Sequence, residues 1–173
     1  IRENDNFLDL TNNHVSVGKI EKMSKSKKNV IDPSKTIDMY GADTARWFML
    51  SDSPPERDLE WTEFGISSSY KFINKIWELS SVLFLNNYKE KNGSDDNKIK
   101  TDINNTIKKV TDNIDLFHYN KAIANIHEFI NNAQKCIINK TVSKKEAIDS
   151  FKKLSLIIQP FIPHLSEEIW KKF

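Results

Sequence analysis

From Ile66 onward, apolar residues recur every three or four positions, the spacing that lines one face of a helix. Ile66, Tyr70, Ile73, Trp77 and Phe84 place such a face on one long helix. The run Asn92-Gly93-Ser94-Asp95-Asp96-Asn97 reads as a loop. Beyond it Ile99, Ile103, Ile107, Val110, Ile114 and Phe117 form a second stripe, and Tyr119, Ile123, Ile126, Ile130, Ala133 and Ile137 a third. Ser143 followed by Glu146 predicts a capping box opening a helix through Ile148, Phe151, Leu154 and Ile158. Pro160 and Pro163 punctuate a last helix with Leu165, Ile169 and Trp170. Four or five amphipathic helices on short loops predict an antiparallel bundle.

The first third is patterned differently. Phe7 to Val17 alternates weakly, which predicts short strands or a hairpin. Asp32 as N-cap and Pro33 at the first helical position predict a helix that runs to Tyr40 and stops at Gly41. A second helix begins near Ala42 or Asp43 and carries Trp47, Phe48 and Leu50 towards a core until Ser53-Pro54-Pro55 breaks it. Asp58 to Trp61 is short enough only for a strand or an extended link. The fold class expected is therefore mainly α, an antiparallel helical bundle preceded by a short α/β segment. The division falls between residues 1–61 and 62–173.

Composition narrows this picture. A chain of 173 residues with 38% hydrophobic and 29% charged residues is globular rather than disordered. A formal net charge of +2 gives no whole-chain argument for nucleic acid, so any such argument rests on how charge is distributed. The single cysteine, Cys136, excludes an internal disulfide and a multi-cysteine zinc site, and reads as a small buried helix residue. No apolar run approaches the roughly 20 residues that span a bilayer. The start at Ile1, with no initiator methionine, reads as a piece of a longer protein. His14, His118, His127 and His164 lack metal-ligand spacing, and no metal site is expected. The pairs Lys108-Lys109, Lys144-Lys145, Lys152-Lys153 and Lys171-Lys172 read as solvated helix faces, and Trp61 and Trp77 as core anchors.

Charge is concentrated in one place. Lys19 to Lys28 holds five lysines against one glutamate, a local +4, with Ser24 and Ser26 alternating with Lys25 and Lys27. Ammonium groups and hydroxyls of this kind suit phosphate oxygens. No glycine lies between Lys19 and Asn29, so this is not the glycine-rich phosphate loop. On charge alone a solvated basic loop is the simpler reading.

Exact order adds what charge does not. Lys22-Met23-Ser24-Lys25-Ser26 resembles the KMSKS signature of class I aminoacyl-tRNA synthetases. Asn29-Val30-Ile31-Asp32-Pro33 and Tyr40-Gly41-Ala42-Asp43-Thr44-Ala45-Arg46 follow it in that family's order. The Ser24-Lys25-Ser26-Lys27-Lys28-Asn29 variant and Ser53-Pro54-Pro55-Glu56-Arg57-Asp58-Leu59-Glu60-Trp61 resemble the leucine-specific branch, and Pro160 to Trp170 looks like the end of its helical domain. Lys28 stands where many relatives have glycine, adding charge and stiffening the position.

The resemblance implies a C-terminal part of such an enzyme: the end of the catalytic domain with its loop, then an anticodon-binding-type bundle. It implies ATP as substrate, with Mg2+, and leucine activation followed by transfer to tRNA(Leu), with ATP and L-leucine as ligands of the full-length protein. The nucleotide-binding half would lie outside this chain, which alone is not expected to aminoacylate. Neither a membrane nor DNA is an expected partner, and the location is cytoplasmic. By similarity Lys25 is the phosphate contact with Lys22 beside it, while Met23, Ser24 and Ser26 complete the ATP-binding loop. Arg46 and Trp47 are expected to pack against the lysine loop or the catalytic domain rather than touch substrate. The corresponding region of an isoleucine, valine or methionine synthetase is the neighbouring alternative, and a non-catalytic helical RNA-binding module the one from another class.

Overall fold

The computed structural model describes residues 2–3, 6–8, 13–15, 20–85 and 88–173. The chain divides into two compact units, Ile1–Asp32 and Pro33–Phe173. In the first, β1 (Arg2–Glu3), β2 (Asn6–Leu8) and β3 (His14–Val15) form an antiparallel sheet in the order β1-β2-β3. Phe7 faces Arg2 on one side and Val15 on the other, and Leu8 faces His14. The strands expected between Phe7 and Val17 are present, and Val17 lies outside the described residues.

The second unit is helical throughout. Its first two helices, α1 (Pro33–Tyr40) and α2 (Ala42–Ser51), are separated by Gly41 alone. Gly41 has φ +83°, a backbone conformation that a Cβ disfavours, so the predicted glycine stop is also the corner. A long helix, α3 (Glu63–Phe84), follows, with Thr62 Oγ1 accepting a hydrogen bond from the Gly65 N–H at its start. Gly65 also lets α2 and α3 touch, since a Cβ there would stand 2.5 Å from the Phe48 ring.

Four more helices complete the unit: α4 (Asp96–Asp115), α5 (Tyr119–Asn139), α6 (Lys144–Ile158) and α7 (Pro163–Lys172). Trp47, Phe129, Phe151 and Phe161 are among the largest side chains sealed in the core. Ile99, Ile103, Val110, Ile123, Ile126, Ile130, Ala133 and Ile137 are buried as their stripes predict. The mainly helical class is borne out.

Three stripe positions depart from expectation. Tyr70 is exposed and meets Tyr40 edge-on across the outer surface of α1 and α3. Trp170 is half exposed although its neighbour Ile169 is sealed. Phe117 is exposed because α4 has already ended: its φ is +57°, the Phe117 N–H donates to Ile114 O and the His118 N–H to Asn113 O. This pair of bonds is the Schellman closure, which satisfies the last carbonyls of a helix by turning one residue left-handed. The expected loop at 92–97 is shorter than read, since α4 starts at Asp96.

The capping box on α6 is shared between elements. Ser143 Oγ accepts from the Glu146 N–H, but the Ser143 N–H donates to Asp96 Oδ1 on α4 rather than to Glu146. The Tyr88 hydroxyl donates to Val142 O in the same corner. Cys136 is buried and free, and burial pushes its thiol pKa up, as befits an inert core residue. His127 stacks on Phe72 at 3.5 Å and lies beside Trp47. Burial first, and the Lys75 charge second, hold its pKa down to about 4, so it is a neutral core aromatic near pH 7.

Candidate functional site

The lysine loop is a compact turn built from its own side chains. Residues 25–28 form the turn, with the Lys27 N–H donating to Ser24 O and the Lys28 N–H to Lys25 O, each at 3.2 Å. Asn29 clasps it: Oδ1 accepts from the Ser24 N–H at 2.8 Å, while Nδ2 donates to Lys22 O at 3.4 Å. Ser24 and Ser26 hydroxyls lie 3.2 Å apart, and Ser24 Oγ also accepts from the Lys27 N–H. Both serines thus shape the loop, while their hydroxyls keep hydrogen-bonding capacity to spare.

The charges are sorted by this turn. Lys27 Nζ donates to Glu21 Oε2 at 2.7 Å, so the one local carboxylate neutralises Lys27. Lys22 and Lys25 are exposed and make no ion pair with a described residue, and the same holds for Lys28. Met23 is partly exposed beside them, Ser24 half-buried and Ser26 exposed. The five residues of the predicted site therefore run into and through one turn, with Lys22, Lys25 and Ser26 exposed on it. Lys19 lies outside the described residues.

Lys28 has φ +53°, the left-handed region that glycine occupies without cost. The residue singled out for replacing a glycine thus sits where a glycine would be easiest. Asn29 is the residue that sequence reasoning passed over. Its only signal is position, directly after the lysines, because the clasp exists only once the turn has closed.

Arg46 is engaged within the helical unit. Its Nε donates to Phe161 O at 3.0 Å and its Nη2 to Pro160 O at 2.7 Å, tying α2 to the turn between α6 and α7. Trp47 is sealed in the helical core and stacks on Phe72. The expectation is packing against the loop or the catalytic domain; within the helical unit a guanidinium fork suits two adjacent carbonyls, and the indole suits the apolar interior. His164 lies in the first turn of α7, and the cap there is Asp43. The Asp43 carboxylate accepts from the His164 and Leu165 N–H groups and lies 2.9 Å from His164 Nδ1, closing the start of α7. Trp61 meets Phe48 edge-on at 5.2 Å, and its Nε1–H is a buried donor with no acceptor among the described residues. No group of three or more His, Cys, Asp or Glu side chains among the described residues is placed to hold a metal ion.

Comparison with known proteins gives a consistent set of relatives. Residues 10–62 match the family described as tRNA synthetases class I (I, L, M and V), and residues 96–173 match the anticodon-binding domain of tRNA ligase. The leucine–tRNA ligase of Zymomonas mobilis is 42% identical over 95% of this chain, and that of Orientia tsutsugamushi 48% identical over 91%. In both cases the chain spans 18% of the relative's own length. Among solved structures, the LeuRS of Agrobacterium radiobacter K84 in its ternary complex with tRNA and LeuAMS superimposes with a TM-score of 0.78. It is 26% identical, over 87% of this chain and 20% of that one. The methionyl-tRNA synthetase of Mycobacterium tuberculosis shares the fold at a TM-score of 0.71, with 18% identity over 85% of this chain and 34% of that one.

Proposed function

Because the chain belongs to the leucine branch of the class I tRNA synthetases, we propose that it supplies two working parts of a leucine–tRNA ligase. Residues 1–61 contribute the end of the catalytic domain with the Lys22–Ser26 loop, and residues 62–173 the bundle that docks tRNA(Leu). The observation that carries this reading is the exposed turn itself. It holds Lys22 and Lys25 unpaired by described residues while Lys27 is taken by Glu21.

In the proposed reaction the leucine carboxylate attacks the α-phosphorus of ATP, the bond to pyrophosphate breaks, and leucyl-adenylate forms. The leucyl group then passes to the terminal ribose of tRNA(Leu) and AMP leaves. Negative charge grows on the departing pyrophosphate in the first step, and catalysis there depends on positioning and electrostatic stabilisation. Lys25 Nζ is the donor for that charge, Lys22 adds a second positive group, and Asn29, Ser24 and Ser26 keep the turn that presents them. The donor set fits phosphate rather than a divalent ion, so Mg2+ is left to groups outside the described residues and no step here runs through it. No helix among the described residues is long and apolar enough to cross a membrane, and the reading places the enzyme with its ATP and tRNA in the cytoplasm.

The test is amino-acid-dependent ATP–pyrophosphate exchange by the full-length enzyme. Leucine should support exchange and isoleucine, valine and methionine should not. Exchange driven by one of those three instead of leucine, or by none, would overturn the reading.

A further inference from the structure

A second basic feature lies on the helical unit, in a groove of about 520 Å³ formed by α4, α6 and α7. Its floor is the outward stripe of α6, where Lys145, Asp149, Lys152 and Leu156 follow one another at helical spacing. From Lys145 to Leu156 this stripe runs about 16 Å at the rise of an α-helix. Lys100 stands on the α4 wall and Trp170 on the α7 wall. Lys153 Nζ donates to Asn104 Oδ1 at 3.0 Å and so ties α6 to α4 along the groove's edge.

The groove accounts for the exposure of Trp170 noted in the fold and for that of Leu156. Trp170 is 49% exposed and Leu156 60%, so an indole and an aliphatic side chain face solvent among lysines. Four lysines stand against Glu146 and Asp149, which leaves the groove positive by two. Two lysines outside the groove have a carboxylate nearby: Lys109 lies 3.8 Å from Glu128 and Lys171 3.4 Å from Glu168. Lys100, Lys145 and Lys152 make no ion pair with a described residue. Positive side chains along a channel with an apolar aromatic at its side is the arrangement that tracks a nucleic-acid backbone and stacks a base or ribose.

We propose that this groove holds the sugar–phosphate backbone of the tRNA, with Lys100, Lys145 and Lys152 on phosphates and Trp170 with Leu156 against a sugar or base. The proposal rests on the tRNA-docking role given above and assigns it to particular side chains. It also separates the lysine pairs: Lys145 and Lys152 belong to the contact, whereas Lys108-Lys109 do not. Asp149, between Lys145 and Lys152 on the same stripe, opposes the phosphates at that point.

The experiment is binding of transcribed tRNA(Leu) to the full-length protein between 50 and 200 mM salt. Each phosphate contact contributes about 0.7 to 0.9 to the slope of log K against log salt. The Lys145→Gln/Lys152→Gln variant should lose between one and two from that slope and weaken binding about tenfold at low salt. Lys108→Gln/Lys109→Gln should leave the slope unchanged, and Asp149→Asn should tighten binding severalfold. All these positions except the half-exposed Lys152 are exposed, and helical circular dichroism should match the parent in each variant. A parental slope in the first variant, or equal losses in both lysine pairs, overturns the groove assignment. Leucine-dependent exchange, which needs no tRNA, would still stand in that case. Failure of the parent to bind tRNA(Leu) would overturn the docking role and the groove together.

Discussion

Lys28 carries its backbone at φ +53°, where the Cβ of any L-residue crowds the next carbonyl and costs about 1 kcal/mol or more that glycine escapes. Two substitutions separate this backbone effect from the charge. Lys28→Gly and Lys28→Val both remove the ammonium group, but only valine, branched at Cβ, resists the left-handed region. Leucine-dependent exchange in the full-length enzyme should stay within about threefold of the parent for Lys28→Gly and fall at least tenfold for Lys28→Val. Equal losses in the two would mean that charge, not conformation, matters at this position. The five loop residues were picked out in the sequence by their specific order. The Asn29 clasp was not, since it depends on Ser24 and Lys22 being brought back to Asn29 by a turn that no local pattern announces.

Among the elements, α7 is held from a distance. Asp43, on α2, accepts the first N–H groups of α7 at 2.8 Å and 3.4 Å, and Arg46, one turn on, binds the carbonyls just before it. Removing a helix cap costs about 1 to 2 kcal/mol. Asp43→Ala should therefore lower the unfolding free energy measured by denaturant titration by an amount in that range, with Asp43→Asn, which keeps one acceptor, in between. A loss of only a few tenths of a kcal/mol in the alanine variant would contradict the trans-capping role. Helix starts and stops at Pro33, Gly41 and Ser143 were readable because they use local chemistry. Caps supplied across the sequence, as by Asp43 and by Asp96 at Ser143, leave no mark beside the helix they close. Periodicity also misassigned Phe117, since a three-to-four spacing continues through the residue that terminates a helix.

At the scale of the whole molecule the proposed phosphate loop and the proposed docking groove fall in different compact units. The helical unit has its own core, running from Trp47 on α2 to Ile169 on α7, and the loop lies in the other compact unit. The basic groove belongs to the helical unit, so the two basic features lie in separate stretches of sequence and in different compact units. Lys25 is proposed to meet the charge that grows on pyrophosphate, and ATP–pyrophosphate exchange by Lys25→Ala in the full-length enzyme, paired with tRNA(Leu) binding, measures this directly. Loss of one preorganised donor of this kind costs about 3 to 4 kcal/mol in the transition state. Exchange should fall by about two orders of magnitude or more while tRNA(Leu) affinity stays within about twofold of the parent. Exchange at the parental rate would contradict the account.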